Sequence, residues 1–164
     1  YALELADAAL KEMRALIFEL RPESLETEGL TGLLNRQAEM LRARHDIEVE
    51  LSAAEPPLPV EAKAVLYRVA QEALHNVVKH AQAANVQVTL EERDGAILLE
   101  VRDDGRGFAV ADSDPEAFGL HSMRQRMTLL GGHLEVSSDN SAGTHVLATL
   151  PLPQIVVKEG AATA

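Results

Sequence analysis

The sequence predicts an α+β fold in which a mixed β-sheet packs on helices that cover one of its faces. Four segments carry apolar residues at three- and four-residue spacing, and five segments read as strands. The two kinds of segment are interspersed but do not follow strict βαβ order, which favours an α+β arrangement over a doubly wound one. A length of 164 residues is enough for one well-buried core.

The helical spacing predicts four helices, over residues 1–20, 30–44, 59–81 and 119–130. The first should end before Arg21-Pro22, since the residue preceding a proline avoids the α region. Pro59 is tolerable in the first turn of the third helix.

The predicted strands cover residues 47–51, 85–93, 96–103, 133–139 and 144–151. Asp94-Gly95 joins the second to the third as a hairpin turn, and a second hairpin turns around residues 140–143. The polar stretch 104–117 reads as a long loop, whereas the tail after Pro153 has no pattern.

The amino-acid composition disfavours several classes of function. The net charge of -11 and an aromatic content of 3% disfavour nucleic-acid binding. Without cysteine there are no disulfides or thiolate metal sites, and no apolar run is long enough to span a bilayer. The chain has no secretory signal and opens at Tyr1, so we expect a cytoplasmic piece of a longer protein.

The long third helix combines an apolar arc with a polar strip. Glu72, Asn76 and Lys79 fall within roughly 60° of one another on a regular α-helical wheel. An acid, an amide oxygen and a cation on one strip suit a metal-bound polyphosphate, because Mg²⁺ prefers oxygen ligands. A solvated helix face with an i,i+4 network is the alternative. His75 and His80, five residues apart, are poorly spaced to share one metal.

The segment "EVRDDGRGF" places Asp103 at the end of a strand, where its carboxylate can accept a hydrogen bond from an exocyclic amine. Gly105 and Gly107 would let the backbone approach a flat ring closely. The spacing fails for an EF-hand, because loop positions 3 and 5 would be these glycines. A plain turn remains an alternative.

Two segments downstream carry further glycines. Gly119 opens a predicted helix, whose free N–H groups and dipole favour an anion. Such a local field would hold a triphosphate inside an acidic protein. Gly143-Thr144 sets a glycine for close approach beside a hydroxyl, although a hairpin turn explains the pair as well.

Four segments, taken in their order along the chain, resemble the N box and the glycine boxes of sensor histidine kinases. They are "EALHNVVKHA", "DDGRGF", "GLHSMRQRM" and "GTHV". The resemblance covers about residues 10–151 and implies the Bergerat, or GHKL, ATP-binding fold shared with gyrase, Hsp90 and MutL. It is nearest to the NarX/DesK-like kinases, in which "KH" follows the asparagine after two residues. They also carry a stretch like "MRALIFELRPESLETEGL" before the catalytic domain.

The resemblance implies a role for each matching residue. Asn76 would ligate Mg²⁺, Glu72 would be a further ligand or a water-activating base, and Asp103 would receive the adenine amino group. Residues 104–117 would form the ATP lid. The remaining residues would shape the base pocket (Gly105, Gly107), approach the phosphates (Lys79, His80), form the lid's hinge and lining (Gly119, Leu120, His121, Met123) or join Asp103 near adenine (Thr144).

The same resemblance implies the organisation and partners of the parent protein. Residues 1–28 would be the second helix of a dimerising region plus a linker, 29–153 the ATP-binding domain, and 154–164 a tail. The acceptor histidine would lie upstream, because the pair His45-Asp46 leads directly into a strand. Its partners would be that phosphoacceptor helix, a NarL-type response regulator and a second copy of the chain. The competing hypotheses are an anti-sigma-type serine kinase or ATPase, and a non-catalytic interaction module.

Overall fold

The computed structural model describes residues 22–107, 117–139 and 142–153. The predicted helix over residues 1–20, most of the polar loop and the tail lie outside these ranges. Within the described residues, no helix combines the length and apolarity needed to cross a membrane.

The predicted α+β fold is confirmed, and the elements follow one another in a mixed order. The helices are α1 (Pro22–Thr27), α2 (Gly29–His45), α3 (Val60–Asn76) and α4 (Ala117–Leu129), and a π-helical turn (Val77–Ala81) continues α3. The strands are β1 (Glu48–Ala53), β2 (Asn85–Arg93), β3 (Ala96–Asp103), β4 (His133–Asp139) and β5 (Gly143–Pro151).

The five strands form one mixed sheet in the order β1-β2-β3-β5-β4. β1 and β2 are parallel, whereas β2–β3, β3–β5 and β5–β4 are antiparallel. Asp94 and Gly95 both have positive φ, of 53° and 75°, as a two-residue I′ hairpin turn requires. This register places the end of β3 beside the start of β5.

The core lies between the sheet and the helices. In β3, Ile97, Leu99 and Val101 are buried, whereas Arg102 on the other face is exposed. α3 packs on β3 and β5, while α4 packs on β4 and β5. The apolar arc predicted for α3 is confirmed, since all six of its members are buried: Leu66, Val69, Ala70, Ala73, Leu74 and Val77.

The structure adds a short helix, α1, that the sequence did not predict. Pro22 is its first residue, a position that needs no N–H donor inside the helix. Six residues are too few for a stable isolated helix, so tertiary packing must stabilise this one. Leu25 provides this packing, since it is only 2% exposed. In addition, α1 contacts both α2 and α3.

The N-terminus of α2 is capped by a residue distant in sequence. The carboxylate of Glu55 accepts the N–H groups of Leu30 and Thr31 at 3.0 and 2.8 Å, and Lys63 Nζ lies 2.6 Å from it. Burial alone would raise the pKa of Glu55, but Lys63 and the two N–H groups together lower it. Gly29, with φ +70°, leaves room, because a Cβ there would lie 2.7 Å from Glu55 Oε2.

Candidate functional site

Asp103 ends β3 on the face that packs against the helices. Asp103 is 7% exposed, and among the residues whose burial the structure describes it is the one charged residue that is buried. Oδ1 accepts the N–H of Gly105 at 2.8 Å, and the Thr144 N–H also donates to the carboxylate. Burial raises the pKa of Asp103; these two bonds oppose the rise, and the charge of Asp104 adds to it. With only two N–H groups donating to it, the carboxylate of Asp103 can still accept a hydrogen bond from a ligand.

The neighbouring carboxylate has a different environment. Asp104 Oδ1 accepts the N–H groups of Ala84 and Asn85, both at 2.9 Å, and Oδ2 accepts Asn85 Nδ2 at 2.8 Å. Hydrogen bonds from Asn85 lower the pKa of Asp104, which is exposed. Asp104 therefore links the end of β3 to the start of β2 by hydrogen bonds, whereas the side chain of Asp103 faces the helices.

Thr144 and Gly143 begin β5 directly beside Asp103. Thr144 is the register partner of Asp103, and its Oγ1 lies 3.1 Å from Ser138 Oγ. Gly143 has φ +77°, and a Cβ there would overlap the backbone oxygen of Asp103. The predicted proximity of Thr144 and Asp103 is thus present. Ser138 was missed, because only the β4–β5 register brings it to this point.

The predicted polar strip is divided between α3 and the π-helical turn. Glu72 and Asn76 lie one turn apart in α3 and are half-buried, whereas Lys79 is exposed. His80 is half-buried and His75 exposed. The regular α-helical wheel assumed for Lys79 was wrong, because residues 77–81 form a π-helical turn with i→i+5 bonding. The directions of Lys79 and His80 relative to Asn76 are therefore set by this turn.

Close approaches join this helix to the glycine-containing segments. A Cβ on Gly105 would overlap the carbonyl oxygen of Ala81, and one on Gly119 would overlap Glu72 Oε1. Gly107 has φ +65°, which favours glycine. The structure thus brings the predicted segments around one end of α3.

α4 begins two residues earlier than predicted, at Ala117. Gly119 nevertheless remains within the first turn, where backbone N–H groups lack partners inside the helix. Leu120 and Met123, at 5% and 0% exposure, belong to the core, whereas His121 is exposed. Of the residues predicted as hinge and lining, Leu120 and Met123 therefore also stabilise the packing of α4.

The donor set determines which cation these residues fit. Within residues 22–107, 117–139 and 142–153, no three His, Asp or Glu side chains cluster as a metal site would require. Mg²⁺ keeps several waters and binds through few protein groups plus phosphate oxygens. The amide of Asn76 would suit such a cation, with phosphate oxygens and waters supplying the remaining ligands.

A separate cavity of about 760 Å³ lies along β1, β2 and the end of β3, and Arg42 of α2 also lines it. The exposed side chains of Glu50, Gln87 and Arg102 line it, and they point away from the helices. Asp103 also borders this cavity, but its side chain lies on the buried face of β3. The candidate site therefore lies on the helix side, between β3, β5 and α3.

Residues 61–154 match the model of the family described as histidine kinase-, DNA gyrase B- and HSP90-like ATPases. The match covers more than half of the chain and includes Glu72, Asn76, Asp103, Gly119 and Thr144. The chain belongs to this family. Its buried strand-end carboxylate and the polar strip on α3 are therefore parts of a GHKL ATPase fold.

Individual relatives are sensor histidine kinases. Sensor histidine kinase LiaS of Bacillus subtilis is 34% identical over 148 residues, which are 90% of this chain and 41% of LiaS. The chain thus spans less than half the length of that relative. The histidine kinase domain of the blue-light activated kinase EL346 of Erythrobacter litoralis is 29% identical, with a TM-score of 0.64.

That alignment covers 75% of this chain and 61% of the EL346 domain. The structure of full-length ShkA in complex with AMPPNP is 25% identical, with a TM-score of 0.57. It covers 74% of this chain and 30% of ShkA. The GHKL ATPase domain of this chain is therefore similar to those of histidine kinases.

Proposed function

We propose that this chain is the ATP-binding catalytic domain of a two-component sensor histidine kinase. It binds Mg²⁺-ATP and positions the γ-phosphate for transfer to a histidine on an upstream helix. The observation that carries the proposal is the buried carboxylate of Asp103 at the end of β3, on the helix side of the sheet. A buried, ionisable acceptor beside two glycine-mediated close approaches is suited to an amino-purine.

At the base end, Asp103 accepts the exocyclic amine of adenine, and Thr144 joins it beside the base. Gly105 and Gly107 keep side chains out of the plane of the ring. Burial of Asp103 strengthens this recognition, because a hydrogen bond to a charged acceptor gains strength when water is excluded.

At the phosphate end, Asn76 supplies an oxygen to Mg²⁺, while Lys79 and His80 approach the phosphates. Glu72 is a further ligand or a base. The hinge and lining residues Gly119, Leu120, His121 and Met123 border this end. Phosphoryl transfer depends mostly on orientation and on neutralising charge, which the bound metal and a cationic side chain supply.

The partners follow from the kinase assignment. They are the phosphoacceptor helix of the same full-length protein, a response regulator of the NarL type, and a second copy in a dimer. We assign the domain to residues 29–153, place it in the cytoplasm, where ATP is available, and include it in the NarX/DesK-like group. The pair Lys79-His80 after Asn76 supports that group.

The competing functions receive less support. An anti-sigma-type serine kinase, or an ATPase, would use the same pocket, but the relatives named above are sensor histidine kinases. A non-catalytic module would have no need of Asn76, Asp103 and the glycines together.

The test is calorimetric titration of this chain with ATP, with and without Mg²⁺. Asp103→Ala should abolish most of the affinity, and Asn76→Ala should remove the dependence on Mg²⁺. Asp104→Asn is the matched control, because that carboxylate is occupied by Ala84 and Asn85. Unchanged affinity in both Asp103→Ala and Asn76→Ala would disprove the site.

Phosphotransfer is tested separately. The chain alone should take up no acid-labile phosphate from labelled ATP. When mixed with the dimeric helical region of the full-length protein, it should phosphorylate the histidine of that region in trans. Failure of this transfer, with ATP binding intact, would favour the serine-kinase or module alternatives.

A further inference from the structure

The side chain and backbone of Arg106 both bind the end of the π-helical turn. The Arg106 N–H donates to the carbonyl of Ala81 at 2.8 Å, and Arg106 Nε donates to the carbonyl of His80 at 2.6 Å. The last carbonyls of a helix have no partners within it, and a cation there also complements the helix dipole. One residue thus holds two successive carbonyls at this end.

Arg106 also lies three residues beyond Asp103 in the chain. Between them, Gly105 donates its N–H to Asp103 Oδ1 and packs against Ala81, where a Cβ would overlap the carbonyl. Residues 103–106 therefore form a short, continuous connection. It runs from the carboxylate at the end of β3 to the backbone that carries Lys79 and His80.

We propose that Arg106 is a positioning residue that sets where Lys79 and His80 lie relative to Asp103. The inference rests on the proposed function, in which Asp103 receives the base and Lys79 and His80 approach the phosphates. Arg106 acts through the π-helical turn and does not touch the nucleotide. Its loss should therefore weaken recognition of the phosphates and leave recognition of the base unchanged.

The π-helical turn explains why such a residue is needed. A single π turn is rare and changes which side chains share a face, so contacts that fix its end also fix the directions of Lys79 and His80. Gln82 then ends the helix with φ 52°, an uncommon value for a residue with a side chain. Within the described residues, the bonds from Arg106 hold the two carbonyls that immediately precede this point.

A purely stabilising cap is the alternative role. A cap would change the free energy of unfolding but would affect all ligands of the domain alike. A positioning role changes the ratio of affinities between ligands with and without phosphates. A residue that binds phosphate through its charge would in turn be replaced well by lysine. Lysine cannot reproduce the Nε bond in the same geometry, because it has a methylene group where arginine has its Nε–H.

The experiment titrates the chain with Mg²⁺-ATP, Mg²⁺-ADP and adenosine, and compares Arg106→Gln, Arg106→Lys and Arg102→Gln. Arg102 is the matched control, an exposed arginine at the same strand end that bonds Glu100 on the outer face at 3.0 Å. We expect both Arg106 variants to lose about tenfold in affinity for ATP and ADP. Adenosine should bind all the variants as it binds the wild type.

Amide hydrogen exchange provides the second readout. Exchange at residues 79–82 should be faster in both Arg106 variants, with thermal unfolding remaining cooperative. Unchanged ATP affinity in Arg106→Gln, equal losses for adenosine and ATP, or full retention by Arg106→Lys would each overturn the inference. These results leave the proposed function standing, whereas a wild-type chain that binds no adenine nucleotide overturns both.

Discussion

The carboxylate of Glu72, on α3, lies against the Cα of Gly119 in the first turn of α4. A Cβ on Gly119 would overlap Glu72 Oε1 and lie 3.1 Å from Glu72 Cδ. The two residues are 47 positions apart in sequence, yet each limits the space of the other. The contact explains why α4 carries a glycine where a better helix former would otherwise be favoured.

Gly119→Ala should leave the stability of the wild-type chain within about 1 kcal/mol, because displacing the end of the flexible Glu72 side chain offsets the better helix propensity of alanine. In the Glu72→Ala background the same substitution should stabilise the chain by about 1 kcal/mol, since only the helix propensity then applies. Urea denaturation of the four proteins in this double-mutant cycle measures the difference. An equal change in stability in both backgrounds would show that Glu72 is not the obstacle.

Gly143→Ala should destabilise the fold by more than about 3 kcal/mol, because the methyl group would meet the backbone oxygen of Asp103 and the residue has φ +77°. Gly95→Ala is the matched control. It has φ +75° but no atom within 4 Å of a Cβ, so only the cost of about 1 to 2 kcal/mol for the backbone conformation applies. Chemical denaturation checks both values, and equal losses would contradict the close approach of β5 to β3.

Asp103→Asn should weaken ATP binding while raising stability at neutral pH. Because burial raises the folded-state pKa of Asp103, folding favours its protonated form. The Asp103 contribution to stability is therefore greatest below the usual aspartate pKa of about 3.9 and is lost as the pH rises through the higher folded-state value. The melting temperature of Asp103→Asn relative to wild type should increase from pH 4 to pH 7. A relative melting temperature that falls over this range would contradict the burial of an ionised group.

Glu55→Gln should destabilise the chain by about 1 kcal/mol at pH 7, since it weakens the cap of α2. The lowered pKa of Glu55 means that its contribution is present above the usual glutamate value of about 4.3 and is lost as the pH falls toward the folded-state value. The variant and the wild type should therefore converge in stability at acid pH. Glu39→Gln, at an exposed position on α2, is the control and should change little.

Periodicity was sufficient to predict most of the elements. The alternation in residues 85–93 and 96–103 predicted β2 and β3 with their bounds, because one face of each strand is buried and the other is not. The apolar arc of α3 was likewise readable, since its buried face is wide and regular. Asp103 could be predicted as a hydrogen-bond acceptor because its carboxylate ends a strand that is otherwise mostly apolar.

Long-range contacts could not be predicted in the same way. The end of the π-helical turn accepts a hydrogen bond from Arg106, which lies 25 residues beyond Ala81, and spacing along the helix gives no sign of such a contact. α1 escaped detection because six residues are too short for a periodic signal, and its stability depends on the buried Leu25. The cap of α2 by Glu55 joins residues 25 apart.

The amino-acid sequence by itself determined the α+β class, the alternation of faces and the set of candidate binding residues, because local periodicity and residue chemistry are encoded at short range. Only the tertiary structure decided how those residues face one another. The strand register set Thr144 beside Asp103, and the contact of α3 with α4 set Glu72 against Gly119. Such placements depend on the packing of segments distant in sequence, where steric exclusion and hydrogen bonding select one arrangement.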